Sequence, residues 1–469
     1  VAILSLMSTL PRHRGAPIIG PAIPVRRDIL GFITELHERY GDIVGTAIGP
    51  PGIRLNAVWV LAPEGAEQMF SASTYANFRK EDGVYAQIRT FFGDGLLTAQ
   101  DETWTRQKRF VQPLFTAARV NGYVDTMVAQ IERSLADLES AGLGRDQAEV
   151  DLTEVNTLLT LRVVGKVLFG EDVDLLADAV MEHFPVISEA VIRRGNSPIS
   201  TPLSWPLPAN RRALTSQAAL REVCQTIIDK RRADAATGDD LVSRLINARD
   251  GVEALTDDEI RDQVFVFLLA GHETTSTTLT FALDLLGRHP DIQDRVRAEV
   301  SEVLGDRTPT AEEIHGLLPY TTAVLKETMR LFPSAPLIGR LVMADDVICG
   351  HEVPAGHIVV TSPWVIQRRA DLWPDPLRFD PDRFLDGHDK GRHRYAWMAF
   401  GAGPRACIGQ HFAVLESVAA LALMVRRFEF TTPASQPDVI PVTAEITLRA
   451  TVPMMSSVRP VEQVAAQSR

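Results

Sequence analysis

Cysteine is almost missing from this chain of 469 residues: Cys224, Cys349 and Cys407 are the only three, and they lie far apart. Three thiols cannot pair without a leftover, and their spacing fits no zinc-ligand pattern, so a disulfide framework and a structural zinc module are both excluded. A reducing, cytoplasmic setting is the expectation. Lysine is scarce too, six against forty-two arginines, a compositional mark of a GC-rich bacterial genome rather than a statement about function. No membrane anchor is expected: the apolar stretch from Ala2 to Leu10 is about half of what a bilayer span needs, and it lacks the basic start of a signal peptide. There is no low-complexity block and no internal repeat. The formal net charge of −12 argues against nucleic acid as a partner.

What is present is ample core material, 45% hydrophobic residues. Length alone would allow roughly three domains, but no linker interrupts the pattern, so one catalytic domain over residues 1–469 is expected. Ile43 to Ile48 and Ile53 to Leu61 read as strands around the turn Gly49-Pro50-Pro51-Gly52. Ser71 to Gln100 has no sustained period and reads as a long loop with short helical pieces. From Glu102 to Gly287 the pattern is mostly helical, with Tyr123 to Leu138, Val155 to Phe169 and Leu214 to Arg232 as clear cases and a break at Gly195-Asn196-Ser197-Pro198. Thr256 with Glu259 three residues on is a capping box. The helix it starts runs to about Arg288, before Pro290, roughly 45 Å and long enough to cross the molecule. Val347 to Val360 reads as a β-hairpin, followed by a Pro/Asp/Arg-rich meander and a final helix from Cys407 to Arg427. The fold class expected is mainly α with small β-sheets (α+β).

One segment carries more chemistry than any other: Phe400-Gly401-Ala402-Gly403-Pro404-Arg405-Ala406-Cys407-Ile408-Gly409. Its glycines let the backbone turn tightly and approach a flat ligand closely. Backbone N–H groups at a turn and at the start of a helix stabilise a thiolate, and an arginine beside it pairs with carboxylates. Together these suit an axial thiolate on a haem iron, with Arg405 available for a propionate.

On the long helix lies Ala270-Gly271-His272-Glu273-Thr274-Thr275. A glycine followed by two β-branched residues disfavours helix where the helix should cross the core, and such conflicts tend to mark functional sites. Gly271 would remove bulk facing a ligand, and the Thr274 hydroxyl could bond back to a carbonyl. His272 has no assigned role.

These segments resemble the cytochrome P450 family, and the resemblance extends from about Pro11 to Pro453 with the motifs in order. The cysteine loop matches the family's haem-binding signature at Phe400, Gly403, Arg405, Cys407 and Gly409, with Gly401 inside it. The resemblance implies haem b as cofactor, with Cys407 as the axial ligand whose thiolate favours O–O cleavage. The helix motif resembles the family's oxygen-activation motif: Thr274 would hydrogen-bond the oxygen being activated, Glu273 would relay protons, and Ala270 would face the haem. Trp104, Lys108 and Arg340 match propionate-binding positions. Lys108 stands where arginine is commoner, and adjacent Arg109 could substitute. Where many members have a propionate-binding histidine this chain has Gln367, a possible donor. Glu327, Arg330 and Arg383 match the structural glutamate–arginine set that joins helix and meander. By the same analogy Val84, Tyr85, Ile88, Leu96, Leu97, Leu269, Ala335, Leu337, Ile338 and Ile446 line an apolar distal pocket.

The activity implied is monooxygenation of a small lipophilic substrate with O₂, the candidates being terpenoids, fatty acids, steroids and polyketides. About sixty residues follow Cys407, too few for a flavin reductase domain, so electrons are expected from a separate ferredoxin or flavodoxin with its reductase. Two basic segments, Arg106, Lys108, Arg109 and Arg119, then Lys390, Arg392, Arg394 and Arg405, lie in the family on the cysteine side of the haem and would steer an acidic partner there. A peroxide-driven peroxygenase or isomerase, and a non-catalytic haem sensor, are rival readings on the same fold. Neither has need of the Glu273–Thr274 pair.

Overall fold

Helix formation is strongest where a cap and an apolar stripe coincide, and the segment after Thr256 has both. The computed structural model describes residues 9–140, 148–170, 174–197, 201–234, 238, 240–249, 253–385, 387 and 390–461. Its longest element is the helix Asp257–Arg288. Thr256 Oγ1 accepts from Glu259 N at 3.2 Å, and Glu259 Oε2 accepts from Thr256 N at 2.8 Å. This satisfies two of the end donors that a helix otherwise leaves open. At the far end Arg288 pairs with Asp284 at 2.8 Å, and Pro290 opens the next helix, Pro290–Leu304.

This central helix is sunk among others. It runs against Leu152–Phe169 so closely that a Cβ on Gly271 would sit 3.0 Å from Val164 Cγ2. The buried polar groups between the two helices are matched: Asn156 Nδ2 donates to Thr280 Oγ1 at 3.2 Å, Thr157 and Ser276 share a hydroxyl bond at 3.0 Å, and Thr160 Oγ1 donates to the His272 carbonyl at 3.1 Å. The helices Pro319–Leu331 and Gln410–Arg427 and the strand Phe428–Thr431 complete the surroundings.

Most of the other strands lie to the side of this bundle. Six form a mixed sheet in the order Arg12–His13, Ile43–Ile48, Leu55–Val60, Ile358–Thr361, Ile338–Val342, Phe78–Arg79. A second sheet places the late strand Met455–Pro460 between Phe428–Thr431 and Ala148–Asp151. Val442–Ala444 and Leu448–Ala450 form a small hairpin. The fold is mainly α with small separate sheets.

Several expected elements change. The stretch from Ser71 to Gln100 holds a ten-residue helix, Gly83–Phe92, whose first turn is capped by Asp82 Oδ1 accepting from Tyr85 N at 2.9 Å. The expected hairpin from Val347 to Val360 is shorter, Asp346–Ile348 against His351–Val353, while Ile358–Thr361 crosses to the large sheet and pairs with Leu55–Val60. The last helix begins at Gln410, three residues after the cysteine. The break after Gly195 separates Asp174–Gly195 from Pro208–Ala233; Pro198 lies outside the described residues.

Candidate active site

The loop before the last helix is shaped by its glycines. Gly401 and Gly403 have φ of +66° and +69°, the left-handed region that only glycine enters freely. At Gly403 there is also no room, since a Cβ would lie 1.8 Å from the Phe70 carbonyl oxygen. The resulting turn is closed by Cys407 N donating to the Phe400 carbonyl at 2.9 Å. It delivers the Cys407 side chain to one wall of a cavity of about 610 Å³, whose other wall is the central helix at Leu269, Ala270, Gly271 and Thr274.

The Cys407 side chain has open surface, and that surface faces this cavity. Burial pushes its thiol above the ordinary range, opposed by the Gly409 N–H and by the charge of Lys80. Thr274 Oγ1 donates to the Ala270 carbonyl at 2.8 Å, as a helical threonine can, and the helix continues unbroken through the motif.

Cations gather along one edge. Lys108 Nζ and the Arg405 guanidinium both lie against the Trp104 ring, at 4.7 and 4.8 Å from its centroid. Lys80 and Arg340 both lie against the Tyr85 ring, at 5.0 and 5.7 Å. Arg405 donates to the carbonyls of Ala99, Leu96 and Leu97 at 2.9, 3.3 and 3.0 Å and to Tyr75 Oη at 3.2 Å. Lys108 reaches the Pro404 carbonyl at 3.4 Å and Arg340 its neighbour's, Gly339, at 2.7 Å. These hydrogen-bond partners are uncharged; the one carboxyl among the cations is that of Asp82, which also lines the cavity, acts on Arg340 and Lys80, and is itself pushed up by burial.

Lys80 escaped the sequence reading. Followed by Glu81 and Asp82 it looks like an ordinary solvated charge run, yet it is buried, with Nζ at 3.3 Å from the Leu97 carbonyl. Burial, then Arg405 and Arg340, hold its pKa well below the usual lysine value. The one available signal was its position two residues before a helix cap.

All ten expected pocket residues, from Val84, Tyr85 and Ile88 through Leu96, Leu97 and Leu269 to Ala335, Leu337, Ile338 and Ile446, line this cavity. So do Trp104, Lys108, Arg340, Phe400, Gly401, Arg405 and Gly409. Glu273 is placed differently. Its carboxyl does not line the cavity but points towards the tip of the hairpin 442–450, and one of its oxygens is buried without a hydrogen-bond partner. Burial raises it to about 8, with the Thr447 hydroxyl opposing and Glu445 adding to the rise. Glu445 and Thr447 themselves enter the lining, which the expectation of a chargeless pocket did not include.

Three secondary expectations are corrected. Gln367 is no propionate donor: it is fully buried, Nε2 donating to the Met329 and Arg330 carbonyls at 3.0 Å each and Oε1 accepting from Met398 N at 2.7 Å. Arg109 does not replace Lys108, because it points outward to Glu253 at 3.9 Å. Gly271 is small chiefly for contact with Val164, although it also borders the cavity. His272, packed edge-on against Phe184, is driven down to about 4 by burial and stays neutral.

The basic segments are also less free than their sequence count. Arg106 pairs with Glu259 and Glu253, and Arg394 reaches Glu67 at 2.5 Å. Lys108 and Arg405 face inward.

The donor set fits a haem: one thiol on a wall, an edge of cations for two propionates, and apolar surface between. The family model for Cytochrome P450 matches residues 10–455. The chain belongs to the cytochrome P450 family. Among this P450's curated relatives are a cyclooctat-9-en-7-ol 5-monooxygenase of Streptomyces melanosporofaciens, 32% identical over 88% of this chain and 87% of that one. The cyclooctatin synthase of the same organism is 34% identical, covering 88% of each. A pentalenene oxygenase of Streptomyces avermitilis is 32% identical over 88% and 90%. The crystal structure of the cytochrome P450DA haem domain superposes with a TM-score of 0.84 at 26% identity, over 97% of this chain and 98% of that one. The P450 is therefore a haem-iron monooxygenase, which takes a lipophilic substrate and O₂. Among the described residues no helix is long and apolar enough to cross a membrane.

Proposed function

We propose that this P450 hydroxylates a terpenoid, through a single catalytic domain that binds haem b and takes electrons from a separate ferredoxin or flavodoxin. The observation that carries the reading is the cavity with Cys407 on one wall, Thr274 on the opposite wall and mainly apolar residues between them. The Streptomyces relatives, two of them named for oxidation of cyclooctatin-type compounds or pentalenene, point to the terpenoid class. The balance is R–H + O₂ + two electrons + two protons giving R–OH + H₂O.

Bound haem supplies the oxygen and one-electron chemistry; the rest is the work of this chain. Cys407 would hold the iron. Arg405, Arg340 and Lys108 would hold the propionates, charge against charge in a dry setting, with Trp104 and Lys80 beside them. Leu269, Ala335, Leu337 and Ile446 exclude water and offer an apolar molecule a surface without a fixed anchor. The Thr274 hydroxyl, which donates to the Ala270 carbonyl, would be available to hydrogen-bond the oxygen being activated. Glu273, held protonated below about pH 8, keeps a proton one residue away. Glu327, Arg330 and Arg383 act structurally.

A terpenoid panel tested for the low-to-high-spin Soret shift, followed by turnover with a surrogate ferredoxin system and with hydrogen peroxide alone, tests this. The expected result is a shift and a hydroxylated product with the ferredoxin system. Equal turnover with peroxide alone would favour the peroxygenase reading, and binding without product the sensor. Fatty acids shifting the spectrum while no terpenoid does would overturn the substrate class.

A further inference from the structure

On the surface, away from the haem cavity, three polar atoms meet that the oxygenase chemistry does not use. His315 Nε2 and His411 Nε2 are 3.2 Å apart, and Asn121 Oδ1 is 3.3 Å from the first and 2.8 Å from the second. We propose that His315, His411 and Asn121 form a binding site for one divalent d-block cation of the zinc, nickel or copper class.

The three side chains come from three separate elements: Ala117–Asn121, Ala311–Gly316 and Gln410–Arg427. Each stands next to a residue buried in the core, Val120, Ile314 and Phe412. The backbone positions are therefore set by packing, and the donors converge without being tied to one mobile loop. Preformed placement of this kind is what lowers the ordering cost of binding.

The triangle is the right size. A cation about 2.1 Å from each of three donors, the usual distance for imidazole nitrogen, requires donor–donor separations of about 3.0 to 3.4 Å for angles from octahedral to tetrahedral. The two separations from His315, 3.3 and 3.2 Å, fall in that span, and the 2.8 Å between Asn121 Oδ1 and His411 Nε2 must open slightly. The rings are nearly parallel, 13° apart, with centroids at 4.4 Å; coordination of both nitrogens at that distance places the centroids about 4.6 to 5.3 Å apart, with the cation in both ring planes. One ring must therefore turn and move outward on binding, and His315, which is exposed, has the room to do so.

The chemistry of the donors agrees. A histidine binds metal through the lone pair of its neutral ring. Two imidazoles and a carboxamide oxygen suit zinc, nickel or copper rather than magnesium or calcium, which prefer all-oxygen sets. Three protein ligands leave at least one position for water. His411 stands four residues past Cys407, at the start of the helix Gln410–Arg427, so the dication would sit on the cysteine side of the molecule.

The test is zinc chloride titrated calorimetrically into tag-free holoenzyme, with bound metal counted on the recovered protein. One equivalent with micromolar affinity is expected. His315→Ala and His411→Ala should each weaken it at least about tenfold, and Asn121→Asp, which adds a charge to the oxygen donor, should tighten it. Since Asn121→Asp predicts a gain, a folding defect cannot imitate it, and an unchanged carbon monoxide spectrum verifies that the alanine variants are folded. Zinc binding that is absent in the wild type, or unchanged in the double alanine variant, overturns the site.

Discussion

Three glycines of the cysteine loop differ in what a single methyl group would meet. At Gly403 both backbone and space forbid it, at Gly401 only the backbone does, with nothing within 4 Å, and at Gly409 the nearest atom is Cys407 Sγ at 3.9 Å. Gly403→Ala should therefore abolish the 450 nm carbon monoxide band or lower haem content severely. Gly401→Ala should cost about 1–2 kcal/mol, the penalty of a left-handed non-glycine residue, and Gly409→Ala least of all. Haem content and thermal midpoint measured on the three variants check the ranking; equal effects would contradict it.

Glu273 gives a pH prediction at the same scale. Its pKa of about 8 lies above the unfolded value near 4.3. Between these values the folded state holds a proton that the unfolded state has released, so stability falls as pH rises through that window and levels off above about 8. Glu273→Gln removes this slope: the variant should gain thermal midpoint relative to wild type between about pH 4.5 and 8. Its turnover should also lose the wild-type decline on the alkaline side. An unchanged pH profile in the variant would show that another group titrates. Cys407 and Arg405 were legible because the glycines that shape their loop lie within ten residues along the chain, although the groups Arg405 contacts do not. Lys80, 327 positions from the cysteine whose cavity it shares, was not, because only the fold converts a lysine beside two acids into a buried cation.

At the level of elements, the helix Pro319–Leu331 is fastened to the meander by charge. Arg330 makes a two-point bond to Glu327, 2.6 and 2.8 Å, and donates to the carbonyls of Gln367 and Pro376 at 2.7 Å each, all without exposure to solvent. Arg383 Nε lies at ion-pair distance, 3.3 Å, though it is not aligned as a hydrogen bond. Glu327→Ala strands a buried guanidinium and should cost about 3–5 kcal/mol, read as a large drop in urea midpoint and poor haem retention. A loss under 1 kcal/mol would mean water reaches Arg330. The central helix was legible because its capping box spans only four residues. The strand Ile358–Thr361 was not, because neither of its partners is the expected hairpin strand: one, Leu55–Val60, lies some three hundred residues earlier and the other is Ile338–Val342, and local alternation cannot distinguish a hairpin from a crossover.

Across the whole molecule, the sum of charge misleads about steering. Of the eight basic residues counted in two segments, Lys108 and Arg405 face the cavity, Arg106 and Arg394 are paired with carboxylates, and Arg109 approaches Glu253. Electron transfer from an acidic donor should thus respond only shallowly to salt, by less than about tenfold between low and physiological ionic strength, at the bottom of the range known for electrostatically steered association. Stopped-flow rates over that range decide the matter, and a hundredfold fall would restore the unscreened patch.

The strand Met455–Pro460 lies in the middle of its sheet, hydrogen-bonded to Phe428–Thr431 on one side and Ala148–Asp151 on the other. Ala148–Asp151 leads directly into the helix Leu152–Phe169 that supports the central helix. Synthesis must therefore pass residue 460 before the strand Ala148–Asp151 can be paired in its sheet. Until then the nascent chain carries an unpaired strand edge, and a chaperone or the arriving cofactor has its opportunity in that interval.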